Sequence, residues 1–156
     1  MKRTNLRLQS SFELLVTLAA GLAVLLPVVA LAFVQVANAN SSLASIEAQQ
    51  AASKLSSVAT LVGSEGPPAR QIAEIQMPTG VRFIYVGTVN NGIGHEIIFV
   101  VSAPNGQSYI TSYTPINVSG TLGGIVAPGT YLVNVTAVSS CPHNSQFPCV
   151  YISPVI

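Results

Sequence analysis

Gln9-Ser10-Ser11-Phe12-Glu13 opens the stretch that decides the fold, and Leu14-Leu15-Val16-Thr17-Leu18 carries it on, without another charge, through Phe33-Val34 to Val36. The uncharged run has the length of the ~20 apolar residues that cross a bilayer as a helix. It is apolar all round, whereas a helix on the surface of a globular domain keeps a polar side. A hydroxyl at Ser10 or Ser11 can cap the first free backbone N–H groups, so the helix is expected to begin there. Before the run lies a short basic tail. After it comes a polar stretch of helical character, then a segment with the period of β-strands.

Going outward toward the N-terminus, Lys2, Arg3 and Arg7 precede the apolar run. Positive charge on that flank orients a membrane helix with its N-terminus inside and everything beyond it outside. Three readings share these flanks. An uncleaved anchor fits them. So does a secretory signal, with Ala37-Asn38-Ala39 as a small-x-small cleavage site, although the run is roughly twice the usual 7–15 residue core. The third starts from Glu13, because a carboxylate at the edge of a membrane helix is costly and marks a functional position.

The rest of the composition is consistent with an exported chain. Of 156 residues only 7% are charged, and there is no Asp; about a quarter is usual for a soluble domain. Beyond Leu8, Lys54, Arg70 and Arg82 face Glu13, Glu47, Glu65, Glu74 and Glu96, a side-chain balance of −2. That leaves no basic footprint for nucleic acid.

Basic tail, Gln9, Ser11, Glu13 and a long apolar helix together resemble the archaeal class III signal peptide of type IV pilins and archaeal flagellins. The motif of that family is Gln-x-Ser-x-Glu-x-x-x-Leu, and Gln9, Ser11 and Glu13 match it. Thr17 stands at the Leu position with Leu18 next to it, and Leu8 precedes the cut. The resemblance covers roughly residues 1–60. It implies a prepilin peptidase as partner, cutting between Leu8 and Gln9, and then assembly with sister subunits into a homopolymer. In that assembly Glu13 would neutralise the amine of a neighbouring Gln9.

Toward the C-terminus, Ala19, Ala20, Gly21 and Ala23 gather small side chains that let helices approach closely. Pro27 should kink or loosen the helix. From Val36 to Val62, Ala44, Ala48, Ala51, Leu55, Ala59 and Val62 recur at steps of three or four and form one narrow face. Gly63 and then Gly66-Pro67-Pro68 signal the stop. A helix from Ser10 to Val62 would be roughly 80 Å long.

Past Ala69 the period becomes two. Strands are expected at Ile72–Gln76, at Val81–Val86 with Val81, Phe83 and Tyr85 on one face, and at Glu96–Ser102. Asn105-Gly106 is a hairpin signal, so Gln107–Tyr113 should pair back. Asn117–Leu122, Thr130–Val138 with Tyr131, Val133, Val135 and Ala137 on one face, and Val150–Ile152 complete the set. The expected fold class is α+β: a long N-terminal membrane and stalk helix followed by a small antiparallel β-sandwich or barrel head. The division is 1–8 basic leader, 9–62 helix, 63–70 linker and 71–156 extracellular β domain.

Cys141 and Cys149 flank one short loop, and outside the cell such a pair forms a disulfide. The alternative is a zinc site made of Cys141, His143, Cys149 and His95, whose spacing matches no common zinc pattern. Asn40, Asn117 and Asn134 each satisfy the N-glycosylation pattern, and Asn134 lies opposite an apolar strand face, so it should be exposed. Without Asp, an Asp-based triad or metal site cannot be assembled from this chain. His95 and Glu96 are adjacent in a strand and point to opposite faces. No cofactor and no enzymatic activity are expected. The expected function is a pilin-like structural subunit of an extracellular filament with a role in surface adhesion, held in the cell membrane as a precursor. The alternative is a membrane-anchored extracellular β-domain binding module that does not polymerise.

Overall fold

The computed structural model describes residues 4–90, 92–103, 106–142 and 147–155, and the side chains from Phe12 onward. One helix, α1 (Thr4–Glu65), is followed by six strands: β1 (Arg70–Met77), β2 (Val81–Gly87), β3 (Gly94–Ala103), β4 (Gly106–Thr121), β5 (Gly129–Val138) and β6 (Cys149–Pro154). The chain divides into two compact units, Met1–Ala39 and Asn40–Ile156.

In the first unit every described side chain of α1 is exposed. Phe12 is 69% and Phe33 73% accessible, so within this unit the described residues leave the apolar surface uncovered. The helix is long and apolar enough to cross a membrane, and it continues through Pro27.

The second unit holds the core. The strands form one mixed sheet in the order β1-β5-β6-β4-β2-β3, with β3 also paired to β4. The pairings are antiparallel except that β6 runs parallel to β4, with Val118 opposite Val150 and Gly120 opposite Ile152. Helix followed by β head is the expected α+β class. The head, however, is a single sheet that does not close, and it is not wholly antiparallel as a small sandwich or barrel would be. The physical reason is the helix. A sheet with one apolar face needs one covering layer, and the Ala-rich face of α1 supplies it.

That face is the one read from periodicity. Ala44, Ala48, Ala51, Leu55, Ala59 and Val62 are all buried, joined by Ala52, in one core with Ile75, Ile84, Val86, Ile97, Phe99, Val133, Val135 and Ile152. Small side chains on the helix let its backbone lie close to the sheet. A polar contact crosses among the alanines. The Ser56 hydroxyl donates to the Ser53 carbonyl at 3.0 Å and so accepts from the Ser112 hydroxyl at 2.8 Å. Other hydroxyls of the stretch turn back on the helix itself: Ser45 to the Ser41 carbonyl, Ser57 to Ser53 and Thr60 to Ser56. Such back-bonding lets a serine-rich stretch stay helical without outside partners.

The glycine stop signal is displaced. The helix runs past Gly63 to Glu65, and the residue that takes a left-handed conformation beyond its end is Gly66, with φ 73°. Gly63 serves close packing instead: a Cβ there would stand 2.2 Å from Ile116 Cδ1 and 3.2 Å from Val150 Cγ2.

Two bulges also alter the expected faces. The β2–β3 register shifts between Val81 and Phe83. Val81 therefore points into the core together with Ile84 and Val86, while Phe83 is exposed and Tyr85 half-buried on the opposite side. In β4 the partners of Gly94 and Glu96 are Val118 and Tyr113, so residues 114–117 stand opposite His95. The two stretches expected as separate strands are thus one strand, β4, bent at this bulge. Thr114, fully buried, holds the bend: its hydroxyl accepts from the Ile116 N–H and donates to the Ile116 carbonyl, both at 3.2 Å. The β3–β4 hairpin forms as expected, with Ala103 opposite Gly106. Its connection is 104–105, one residue earlier than the Asn105-Gly106 signal, and lies outside the described residues.

The helix acts as the second layer of the head, which yields a test. Leu55→Ala, at a fully buried site, should cost about 2–5 kcal/mol of head stability. Ile46→Ala, on the exposed side of the same helix, should change it by less than about 0.5 kcal/mol. Urea unfolding followed by circular dichroism compares the two, and equal effects would contradict the packing described.

Candidate functional site

Three regions carry the residues singled out in the sequence. The first is the start of α1. Leu8, Gln9 and Ser11 fall within the helix range, but their side chains lie outside the described residues. Glu13 is exposed and lines a shallow surface groove with Phe12, Val16 and Thr17. Thr17, the departure from the Leu of the motif, donates its hydroxyl to the Glu13 carbonyl at 2.5 Å. That polar atom is satisfied within its own helix, and it can enter an apolar setting without demanding a partner. Further along, a side chain placed at Gly21 would meet nothing of this chain within 4 Å. The chain's own packing therefore does not explain the small residue there.

The second region is the disulfide. Cys141 and Cys149 are bonded, with 5.5 Å between their Cα atoms. Both are buried, and the Cys141 N–H donates to the Phe147 carbonyl at 3.1 Å. The zinc alternative loses these two sulfurs as ligands. His143 lies outside the described residues, and among the described residues no group of three His, Cys or Glu side chains could hold a metal. His95 is occupied otherwise. Its Nδ1 is 3.1 Å from the Ile116 carbonyl, which can only accept, so Nδ1 carries the proton. Its ring stacks on Tyr113 with centroids 5.9 Å apart.

Between the disulfide, the β4 bulge and the end of α1 lies a cleft of about 280 Å³ whose walls include Pro67, His95, Ile116, Asn117, Pro148 and Cys149. Only His95 and Cys149 were brought together by the sequence, in the zinc alternative; Pro67, Ile116, Asn117 and Pro148 were not. The cleft depends on the bulge at 114–117, which no local signal announces. Its walls are mostly apolar, with one imidazole and one amide.

The third region is the sheet face turned away from α1. On it Phe83, Val100 and Tyr109 occupy one row across β2, β3 and β4, and Tyr85, Ile98 and Thr111 the next. Phe83 and Tyr85 stack with centroids 6.1 Å apart, while Tyr109 and Tyr113 are each 66% exposed. The expected Val81/Phe83/Tyr85 face concealed this patch, because the bulge in β2 separates Val81 from the two aromatics. On β5 of the same face Asn134 is half-buried and held by its neighbours, less open than alternation implied. Asn117 is half-buried on the cleft wall and Asn40 is exposed on α1.

No protein-family model, curated protein or solved structure matches this chain.

The disulfide closes a loop between positions eight apart. By the loop-entropy relation this contributes about 2.5 kcal/mol. The double substitution Cys141→Ser, Cys149→Ser should lower the unfolding free energy of the head by about that amount. A thiol assay on the unreduced native protein should count no reactive cysteine, and two after reduction in denaturant.

Proposed function

We propose that the chain is a pilin-like structural subunit of an extracellular filament, with its β head taking part in adhesion to surfaces. The observation that carries this reading is the bare apolar surface from Phe12 to Val36. It is exposed on every side, so lipid or other helices must cover it. A filament subunit uses both in turn: lipid holds the precursor, with its N-terminus inside, and sister helices hold the mature form. Ala19, Ala20, Gly21 and Ala23 offer close approach between backbones.

The N-terminal chemistry follows from charge. Hydrolysis of the Leu8–Gln9 peptide bond by a prepilin peptidase removes Lys2, Arg3 and Arg7 and leaves an ammonium on Gln9. In lipid, Glu13 lies near the interface and reaches water at modest cost. In a dry helix bundle that route is closed, and the carboxylate needs a cation, since an unpaired buried charge is strongly destabilising. The amine of Gln9, on its own or a neighbouring chain, supplies it. Thr17 requires nothing further, its hydroxyl being bonded already.

One observation favours a second reading, an anchored binding module that does not polymerise. The exposed Phe83, Tyr109 and Tyr113 and the half-buried Tyr85 on the outer face of the head form an aromatic patch of the kind that binds partners. Electron microscopy of sheared surface material separates the two readings, filaments supporting the first and their absence the second.

Two outcomes are expected. N-terminal analysis of surface material should begin at Gln9; a chain beginning at Asn40 would mark a secretory signal, and one retaining Lys2 a plain anchor. Glu13→Gln should leave insertion, processing and head folding intact while filament yield in the sheared fraction falls at least tenfold. Normal yield would remove Glu13 from assembly.

A further inference from the structure

Of the three sequons, the fold singles out one. Asn40 lies on α1 only four residues beyond Val36, at the end of the apolar run, and Asn117 is half-buried in the wall of the cleft. Asn134, equally half-buried, lies in the middle of β5 on the open sheet face away from α1, between Ile72 of β1 and Ser153 of β6, and what sets it apart is how its amide is held. We infer that Asn134 is the sequon of the head that carries an N-linked saccharide, and that the folded sheet is built to display it.

The argument rests on which atom of the amide the sheet uses. Arg70 Nε donates to Asn134 Oδ1 at 2.6 Å, and the Thr136 hydroxyl donates to the same Oδ1 at 3.3 Å. Arg70 and Thr136 are themselves cross-strand partners, so the three side chains form one cluster on one face. Both bonds end on the oxygen and neither uses Nδ2. An N-glycosylated asparagine keeps its carbonyl oxygen and one N–H, so the modification leaves both bonds intact. The carbonyl is clamped while the nitrogen is left for the sugar.

The surroundings suit a sugar ring. Ile72, directly across the ladder, and Leu132, two residues earlier on the same face, are 52% and 49% exposed. They give an apolar floor beside Asn134, with Glu74, Gln76 and Ser153 on the neighbouring positions of β1 and β6. A saccharide linked to Nδ2 can lie over them and remove that apolar area from water. The Thr at the third position of the sequon is also the Thr of the cluster, so Thr136 serves both recognition and clamping.

The step is a group transfer from a saccharide carried on a lipid phosphate. Asn134 Nδ2 attacks the anomeric carbon, the N–C bond forms, and the bond from that carbon to the phosphate oxygen breaks. The lipid phosphate leaves with the electron pair, and Nδ2 gives up one proton to the transferring enzyme's base.

The inference rests on the extracellular placement of the head proposed above. The test is mass spectrometry of full-length protein recovered from the cells that make it, on the chymotryptic peptide containing Asn134. That peptide should be heavier than its sequence mass by a saccharide in most molecules. Thr136→Val should reduce occupancy at least tenfold, and Thr136→Ser should retain it, with the absence of free thiols confirming that each head has folded. A bare Asn134 peptide in the unsubstituted protein overturns the inference, as does saccharide on Asn40 or Asn117 alone. Protease shaving of intact cells keeps the two ideas apart. A shaved head with bare Asn134 defeats the glycan alone, and a head protected from the protease defeats the placement as well.

Discussion

The head depends on the contact between the alanine face of α1 and one side of the sheet. Six strands in a single open layer leave an apolar surface that the strands cannot cover for themselves. Ala44, Ala48, Ala51, Ala52 and Ala59 bring the helix close, and Leu55 and Val62 fill the space that remains. Gly63 extends the same logic to the end of the helix, where even a methyl would meet Ile116. Because the helix is the missing layer, a short β-region of modest size can hold a dry core without a second sheet. The residues 40–65 therefore belong to the head by packing, although they look like stalk by composition.

The same helix carries two unlike surfaces. Beyond Asn40 it hides alanine against strands and bonds its hydroxyls back to its own carbonyls. From Phe12 to Ala39 it exposes Leu, Val and Phe on every side. An apolar surface of that extent does not persist in water, and it is the part of the molecule whose environment must come from outside. Glu13 is the exposed carboxylate at its edge. A charged group there is tolerable in two settings, at a wet interface or beside a cation, and a protein that moves from the first setting to the second needs such a group to be paired at the end of the move.

Much of this was legible in the residues, and what was not has identifiable causes. The apolar run, the alanine face and the strand periods are local signals, and all of them lie on the helix or in strands, two of the expected strands being joined in β4. The disulfide was legible because two cysteines flank one short loop. What escaped depends on contacts distant in sequence. The bulge beside Arg82 turns Phe83 outward, and no property of Val81-Arg82-Phe83 demands the extra residue. The bulge at 114–117 is stabilised by Thr114, whose hydroxyl reads from sequence as one more strand Thr. Gly63 looked like a helix terminator because glycine usually is one; its packing role requires knowing that Ile116 and Val150 are neighbours. The parallel pairing of β4 with β6 has no local signature at all. It also explains why the head is one open sheet: β6 enters between β5 and β4 and joins what would otherwise be two separate sets of strands.

That insertion has a consequence for the order of events in the cell. β6 is the last of these six strands to leave the ribosome, yet it occupies an interior lane of the sheet, with Ile152 fully buried and partners on both sides. Until it arrives, β4 and β5 each present an unsatisfied edge, and the β1–β5 pair has no bond to the remainder. The sheet is consequently a late-closing structure, dominated by pairings far apart in sequence and slow to form for that reason. The helix, built from local contacts, is ready first. A nascent chain thus offers a finished apolar helix while its head is still an unassembled thread, which is the state in which a polypeptide can pass through a narrow channel.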